Sequence, residues 1–207
     1  MDTVWTGVEI VGMIAFAASG AVMAIRHEFD LFGILVLATI TGIGGGLMRD
    51  IIIGNIPPLA IRDSSFILIC IATALIVSYY CHYIHRFRNL LQFCDALGLG
   101  SFTATSANMA LIMGWDTLLM VVTVAFITSV GGGILRDILA GEIPLIFHKE
   151  VYALAAIVGG GIMYFLHFLL PGNMPLYISF LATVIIRLCC LYWDINLPVV
   201  RPRDIHR

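Results

Sequence analysis

Seven apolar runs, each about twenty residues long, follow one another along this chain with only short polar breaks between them. They lie at about 4–25, 31–53, 65–84, 90–112, 117–140, 151–170 and 175–194. A helix rises about 1.5 Å per residue, so about twenty apolar residues cross the roughly 30 Å of hydrocarbon in a bilayer. Hydrocarbon offers no partner to a backbone group left outside a helix or a closed barrel. The pattern therefore predicts an all-α integral membrane protein with seven transmembrane helices. The breaks at 26–30, 57–64, 85–89, 114–116, 142–150 and 171–173 have turn compositions, and none is long enough to hold a soluble domain. Trp5, Tyr79, Tyr80, Tyr83, Trp115, Tyr192 and Trp193 sit at run ends, where amphipathic rings suit the two membrane interfaces.

The chain also repeats itself. Gly44-Gly45-Gly46-Leu47-Met48-Arg49-Asp50-Ile51, followed by Gly54, Ile56 and Pro57, returns 87 residues later as Gly131-Gly132-Gly133-Ile134-Leu135-Arg136-Asp137-Ile138, followed by Gly141, Ile143 and Pro144. Glu9, Gly12, Phe16, Ala18, Ala21, Met23 and Ala24 match Asp95, Gly98, Phe102, Ala104, Ala107, Met109 and Ala110 at an offset of 86. Each unit then contains three spans, at about 4–84 and 90–170, with an extra helix at 175–194 and a tail at 195–207. An odd number of spans per unit forces the second to insert upside down, which predicts two inverted three-helix repeats plus a seventh helix in a single transmembrane domain. Lys and Arg near the span ends set the orientation. Arg26, Arg86, Arg88, Lys149, Arg201, Arg203 and Arg207 fall on one side and Arg62 alone on the other, so the N-terminus is expected outside and the tail in the cytoplasm of a cell inner membrane.

Three consecutive glycines weaken a helix by roughly 1 kcal/mol each relative to alanine, and an Arg-Asp pair is costly in hydrocarbon. Both repeats accept both penalties at the middle of a span. The second and fifth helices are expected to break or bend there, and the freed carbonyls, with Thr41 and Ser129, would line a polar waist suited to a monovalent cation. Close packing of small residues is the competing reading of the same glycines. The triplet Gly159-Gly160-Gly161 has no Arg-Asp follower and is read as packing alone.

Arg49 and Asp50 point about 100° apart on a helix, so Arg49 is expected to seek a partner on another helix, and so is Arg136 beside Asp137. Glu9 and Asp95 are the candidates. Such pairs clamp a bundle, and an arginine held over a waist also gates it. Arg187, within the last span, is read as snorkelling or pairing with Asp194, with a gating role as the alternative. One charge moved across the full field gains about 2.3 kcal/mol per 100 mV, so displacement of Arg49, Arg136 or Arg187 alone would give shallow voltage dependence.

Other classes find little support. A formal net charge of -2 without a basic stripe argues against nucleic acid. Cys70, Cys81, Cys94, Cys189 and Cys190 show no C-x-x-C spacing and read as packing residues. His82 and His85 lack a nearby carboxylate, so no metal is expected beyond a permeant potassium or sodium ion, and no cofactor. No catalytic constellation lies at one depth, which argues against an enzyme.

The paired glycine-Arg-Asp segments, the Gly and Pro that follow them, Glu9 and Asp95, and the seven-span plan together resemble the prokaryotic TRIC-type proteins, relatives of the trimeric intracellular cation channels. The resemblance covers essentially the whole chain. It implies a homotrimer in the lipid bilayer, an hourglass pore in every protomer, helices kinked at the glycines, and potassium favoured over anions. It further implies that Gly44, Gly45, Gly46, Gly131, Gly132 and Gly133 line the waist, with Arg49, Asp50, Arg136 and Asp137 beside it. Some bacterial relatives are instead described as transporters of small neutral amino acids such as glycine, and the motif does not separate the two activities.

Overall fold

The structure is a computed structural model that describes residues 3–80, 89–147 and 151–193. Every regular element among them is helical: α1 (Thr3–Arg26), α2 (Leu31–Ile52), the single turn α3 (Leu59–Arg62), α4 (Ser65–Tyr79), α5 (Leu90–Ile112), α6 (Leu118–Leu139), a 3₁₀ turn (Leu145–Phe147), α7 (Val151–Leu169) and α8 (Met174–Tyr192). Cys81, His82, Tyr83, His85, Arg86, Arg88, Lys149, Asp194, Arg201, Arg203 and Arg207 lie outside the described residues, as does the tail at 195–207.

The helices form two groups of three, α1 with α2 and α4, and α5 with α6 and α7. The groups meet where α1 packs on α5 and α2 crosses α6, while α8 lies against α5 and α7. The outer surface is apolar, with Phe32, Leu68, Leu119, Phe165 and Ile185 exposed, and the interior is where the polar groups sit. Water would favour the reverse distribution, whereas lipid favours this one. Hydroxyls on the spans return their protons to their own helices. Thr39 Oγ1 donates to Leu35 O, Thr73 Oγ1 to Ile69 O and Thr183 Oγ1 to Ser179 O, at 2.7, 2.8 and 2.8 Å.

Five of these helices, α1, α2, α6, α7 and α8, are long and apolar enough to cross a membrane by length and composition. The other two expected spans differ for separate reasons. The described part of α4 has 15 residues, about 22 Å at the helical rise. α5 has 23 residues, but Asp95 and a run from Ser101 to Ser106 that includes Thr103 and Thr105 make it more polar. It tolerates them because most of its circumference is buried against α1, α6, α7 and α8 and needs no compatibility with lipid.

Two structural differences from the sequence reading bear on the site. α2 and α6 run through their glycine triplets in unbroken helical hydrogen bonding. The expected break is absent because leaving several backbone groups unpaired in apolar surroundings costs more than the helix propensity of three glycines. Trp5, read as an interface anchor, is buried instead: its Nε1 donates to Thr105 O at 3.3 Å and its ring lies under Arg49.

Candidate functional site: two ion-pair clusters about a glycine crossing

The glycines bring α2 and α6 into backbone contact. A Cβ at Gly45 would collide with the carbonyl of Thr128, and one at Gly132 would lie 2.5 Å from the carbonyl of Thr41. At the preceding glycine of each triplet, a Cβ at Gly44 would meet Leu135 Cδ1 at 2.7 Å and one at Gly131 would meet Met48 Sδ at 2.6 Å. These contacts are reciprocal. Thr41 and Thr128, Met48 and Leu135, and each glycine and its partner occupy matching positions of the two repeats. Such self-complementary contact is what a local two-fold relation produces. Phe16 and Phe102, also matched, stack on each other with centroids 5.5 Å apart and planes 14° from parallel.

Thr41 and Ser129 are fully buried at this crossing. Thr41 Oγ1 donates to Leu37 O at 2.6 Å and Ser129 Oγ to Phe126 O at 3.1 Å, so both hydroxyls are bonded within their helices. The third glycine of each triplet faces elsewhere. Gly46 looks toward Phe102 and Arg49, and Gly133 toward Tyr152, Asp95 and Arg136.

Past each triplet the chain builds a buried cluster. Arg49 is 1% exposed and places Nη1 2.5 Å from Glu9 Oε1 and Nε 2.9 Å from Asp50 Oδ1. Arg136 is 0% exposed and places Nη1 2.7 Å from Asp95 Oδ1, with Nε donating to Asp137 Oδ1 at 2.8 Å. Arg136 Nη1 also donates to Ser19 Oγ at 3.0 Å. Each arginine thus pairs with its sequence neighbour as well as with an acid on another helix. The pairing with Asp50 and Asp137 departs from the 100° argument, because a long arginine side chain folds back along its own helix when no water competes for it.

The aspartates have a second task, and it explains the residues that follow them in the motif. Gly54 and Gly141 both take φ +77, the left-handed conformation that suits glycine at a helix C-terminus. Asn55 N donates to Asp50 O and Glu142 N to Asp137 O, each at 2.8 Å, closing both helices in the same way. The chain then turns back so that Leu59 N donates to Asp50 Oδ2 at 2.7 Å and Leu145 N to Asp137 Oδ2 at 2.9 Å. Each carboxylate therefore ties an arginine to the start of the next short helix.

The two clusters are not copies in every part. Arg187, 2% exposed, comes from α8, outside the duplication, and lies over the Tyr152 ring with its guanidinium carbon 4.9 Å from the centroid. It neither snorkels nor reaches the surface, and it adds its charge to the field around Asp95. Phe66 occupies the position matching Tyr152 in the first repeat, and Trp5, 5.5 Å from the Arg49 guanidinium carbon, covers the first cluster instead.

The surroundings differ as well. A cavity of about 10 Å³ adjoins the first cluster, lined among others by Glu9, Gly42, Gly46, Arg49 and Phe102. A vestibule of about 410 Å³ leads from the loop ends toward Asp137, with Arg26, His27, Gln92 and Glu142 on its walls. His27 Nε2 stands 3.2 Å from Glu142 Oε1 across its rim.

Sequence reasoning missed Ser19, Trp5, Tyr152 and Phe66 as members of the clusters. Ser19 and Tyr152 left a faint signal, since they align with Thr105 and Phe66, one polar match and one that differs by a single hydroxyl. Gly159-Gly160-Gly161 serves packing. A Cβ at Gly159 would collide with Thr183 Oγ1, and one at Gly160 would come 3.2 Å from the Ala125 Cβ.

Comparison with known proteins agrees with this duplicated architecture. A family model described as "Glycine transporter" matches twice, over residues 6–82 and 92–168. A UPF0126 membrane protein of Deinococcus radiodurans is 38% identical over 160 residues, covering 76% of this chain and 74% of the relative. The UPF0126 inner membrane protein YadS of Escherichia coli K12 is 34% identical over 193 residues, covering 92% and 93%. The solved structure of the TRIC trimeric intracellular cation channel orthologue from Rhodobacter sphaeroides superposes with a TM-score of 0.89 at 32% identity, covering 94% of this chain and 100% of that one. This chain belongs to the TRIC-type family of membrane proteins, which the UPF0126 and glycine-transporter descriptions also denote.

Proposed function

We propose that the protein is a monovalent cation channel that prefers potassium, with one hourglass pore in each protomer of a homotrimer. The observation that carries this reading is the pair of buried arginine-acid clusters disposed reciprocally about the α2–α6 crossing. If the two repeats insert with opposite polarity, the clusters flank the crossing from the two membrane faces, as the odd number of spans per repeat requires. Four carboxylates, on Glu9, Asp50, Asp95 and Asp137, then outnumber the three buried arginines Arg49, Arg136 and Arg187 by one, a balance that favours cations over anions. The likeness to the TRIC trimeric intracellular cation channel orthologue supports the same reading and, with it, a trimer.

The crossing is packed shut in this conformation, so conduction requires α2 and α6 to separate or kink at Gly44, Gly45, Gly46 and Gly131, Gly132, Gly133. Arg49, Asp50, Arg136 and Asp137, with Glu9 and Asp95, hold the closed arrangement, and Arg187 biases one side of it. In the proposed orientation the N-terminus is outside and the vestibule opens to the cytoplasm. The permeant ion is potassium or sodium, and no cofactor takes part.

A second reading is alternating-access transport of a small neutral amino acid such as glycine, favoured by the description of the matching family model. Current through the purified protein in a planar bilayer under a potassium chloride gradient separates the two. Unitary steps that reverse near the potassium equilibrium potential, unaltered by glycine, are the expected result. Absence of unitary current together with saturable glycine uptake into liposomes would overturn the channel reading.

A further inference from the structure

The two clusters hold different charge. Arg49, Glu9 and Asp50 sum to one formal negative charge, whereas Arg136, Asp95 and Asp137 have Arg187 nearby, over the Tyr152 ring that lines the same space as Arg136 and Asp137, and the four sum to zero. The difference is Arg187, which comes from the one long helix without a counterpart in the duplication. The hydrogen bonds of the first cluster show where its surplus charge resides. Asp50 spends Oδ1 on Arg49 and Oδ2 on Leu59 N, and Glu9 spends Oε1 on Arg49. Glu9 Oε2 is buried and has no hydrogen-bond partner, and neither has Asp95 Oδ2 in the second cluster, but only the first cluster adjoins a cavity with room for an occupant. The residue is 3% exposed and lines the cavity of about 10 Å³, which is room for one occupant of water's size.

A buried carboxylate oxygen without a partner is costly, and a cluster with a surplus negative charge more so. Glu9 and Asp50 outnumber Arg49 in the cavity wall, so its formal charge suits a positive occupant. Gly42 and Gly46 have no side chains, so they present backbone, and each helical carbonyl keeps a second lone pair free. Phe66, Phe102, Met13, Ile43, Leu59 and Ala60 make the remainder of the wall apolar, so water in the cavity has few competing partners there. Ions that hold tightly to an ordered water shell fit poorly in so small a space, which favours a singly charged ion that sheds its water readily.

We infer that the cavity beside Glu9 is a binding site for one dehydrated monovalent cation, held by Glu9 Oε2, and that the second cluster has no such site because the space beside Arg136 and Asp137 leaves no room for an ion and Arg187 brings a further positive charge over Tyr152. This inference deepens the cation-channel reading by naming the half of the path where the ion dwells. Its test requires no flux.

The experiment is thermal unfolding of the purified protein in detergent at constant ionic strength and pH, with N-methylglucamine chloride replaced stepwise by potassium or sodium chloride. Binding to the folded state alone raises the melting temperature by roughly 4–8 °C when the ion reaches about thirty times its dissociation constant. The shift is expected in the wild type and is expected to vanish in Glu9→Gln. Melting that responds to pH while ignoring the cation would mean that Glu9 carries a proton, and would overturn the inference. If Glu9→Gln does not fold, thallium(I) soaked into wild-type crystals decides: an anomalous peak within coordination distance of Glu9 Oε2 supports the site, and no peak there refutes it. Unitary current without a cation-dependent shift would sink this inference and leave the channel. A shift without current would do the opposite.

Discussion

The first cluster and the second are built on one plan and completed differently. Both tie an arginine to a neighbouring aspartate, to an acid on the first helix of the same repeat, and through the aspartate to the start of a short helix. Each keeps one unpartnered acid oxygen, Glu9 Oε2 or Asp95 Oδ2, but the first is roofed by Trp5 and adjoins a small cavity. The second receives Tyr152 and Arg187 and faces a wide vestibule. Duplication supplies the frame, and residues outside the duplicated motif set the charge. A protein assembled this way has a reciprocal crossing and clusters of unequal charge on either side of it.

Removing either arginine tests that asymmetry with the largest expected effect. Arg49→Ala strands Glu9 and Asp50 in a buried site with no other cation in contact among the described residues, which is expected to cost about 3–5 kcal/mol. Arg136→Ala strands Asp95 and Asp137 with Arg187 still close to Asp95, so its cost is expected at the lower end, about 3 kcal/mol. Melting temperatures in detergent, compared side by side, read the difference. Equal losses, or a greater loss for Arg136→Ala, would mean that Arg187 does not compensate and that the two clusters are electrostatically alike.

The crossing itself should show no such asymmetry. Gly45→Ala and Gly132→Ala each drive a methyl group into a backbone carbonyl of the facing helix, and overpacking of this kind costs about 1–3 kcal/mol. The two variants are expected to lose the same amount within about 0.5 kcal/mol, because their contacts are reciprocal. Gly161→Ala is the control. Nothing lies within 4 Å of its Cβ, so the helix propensity gained should leave stability equal or slightly higher. Unequal losses at Gly45 and Gly132 would show that the two-fold relation does not extend to the energetics of the crossing.

How far the sequence carried the fold follows from the same residues. The doubled motif, the spacing of the apolar runs and the acids Glu9 and Asp95 were all legible, because periodicity and repetition are properties of the chain itself. The continuity of α2 and α6 was not, since local propensity argues for a break at three glycines while the lack of water argues against one. The place of Trp5 was hidden for a related reason: a tryptophan near a span end suits an interface and suits a lid over an arginine equally well. Tyr152 and Arg187 meet only through the docking of α8 on α5 and α7, a tertiary event with no short-range trace.

Arg187→Gln sharpens the comparison from the other side. Loss of its contact with Tyr152 is expected to cost about 0.5–2 kcal/mol. The second cluster is left with the same surplus negative charge as the first, so cation preference, read from the reversal potential in asymmetric potassium chloride, should rise. Any voltage dependence should become shallower by no more than one elementary charge, about 2.3 kcal/mol per 100 mV. A reversal potential that stays put would separate Arg187 from the permeation path and confine it to packing.

The smallest effect is expected at the vestibule rim, where the repeats diverge at the position just past each helix-ending glycine. There the first repeat has Asn55, whose Oδ1 accepts from Arg62 Nη2 at 3.4 Å, and the second has Glu142, which reaches across to His27 at 3.2 Å. The His27 and Glu142 side chains are 31% and 52% exposed, so solvent screens them, and a pair of this kind contributes about 0–1 kcal/mol. A double-mutant cycle with His27→Gln and Glu142→Gln is expected to return a coupling within that range. The pair joins the end of α1 to the loop that follows α6, so it holds the rim of one vestibule while the other repeat closes its loop on itself. Single-channel current is therefore the more sensitive readout, with the Glu142→Gln variant opening more often and Asn55→Ala leaving openings unchanged. A coupling above about 2 kcal/mol, or equal effects of the two substitutions on opening, would show that the rims of the two repeats are not distinguished by this contact.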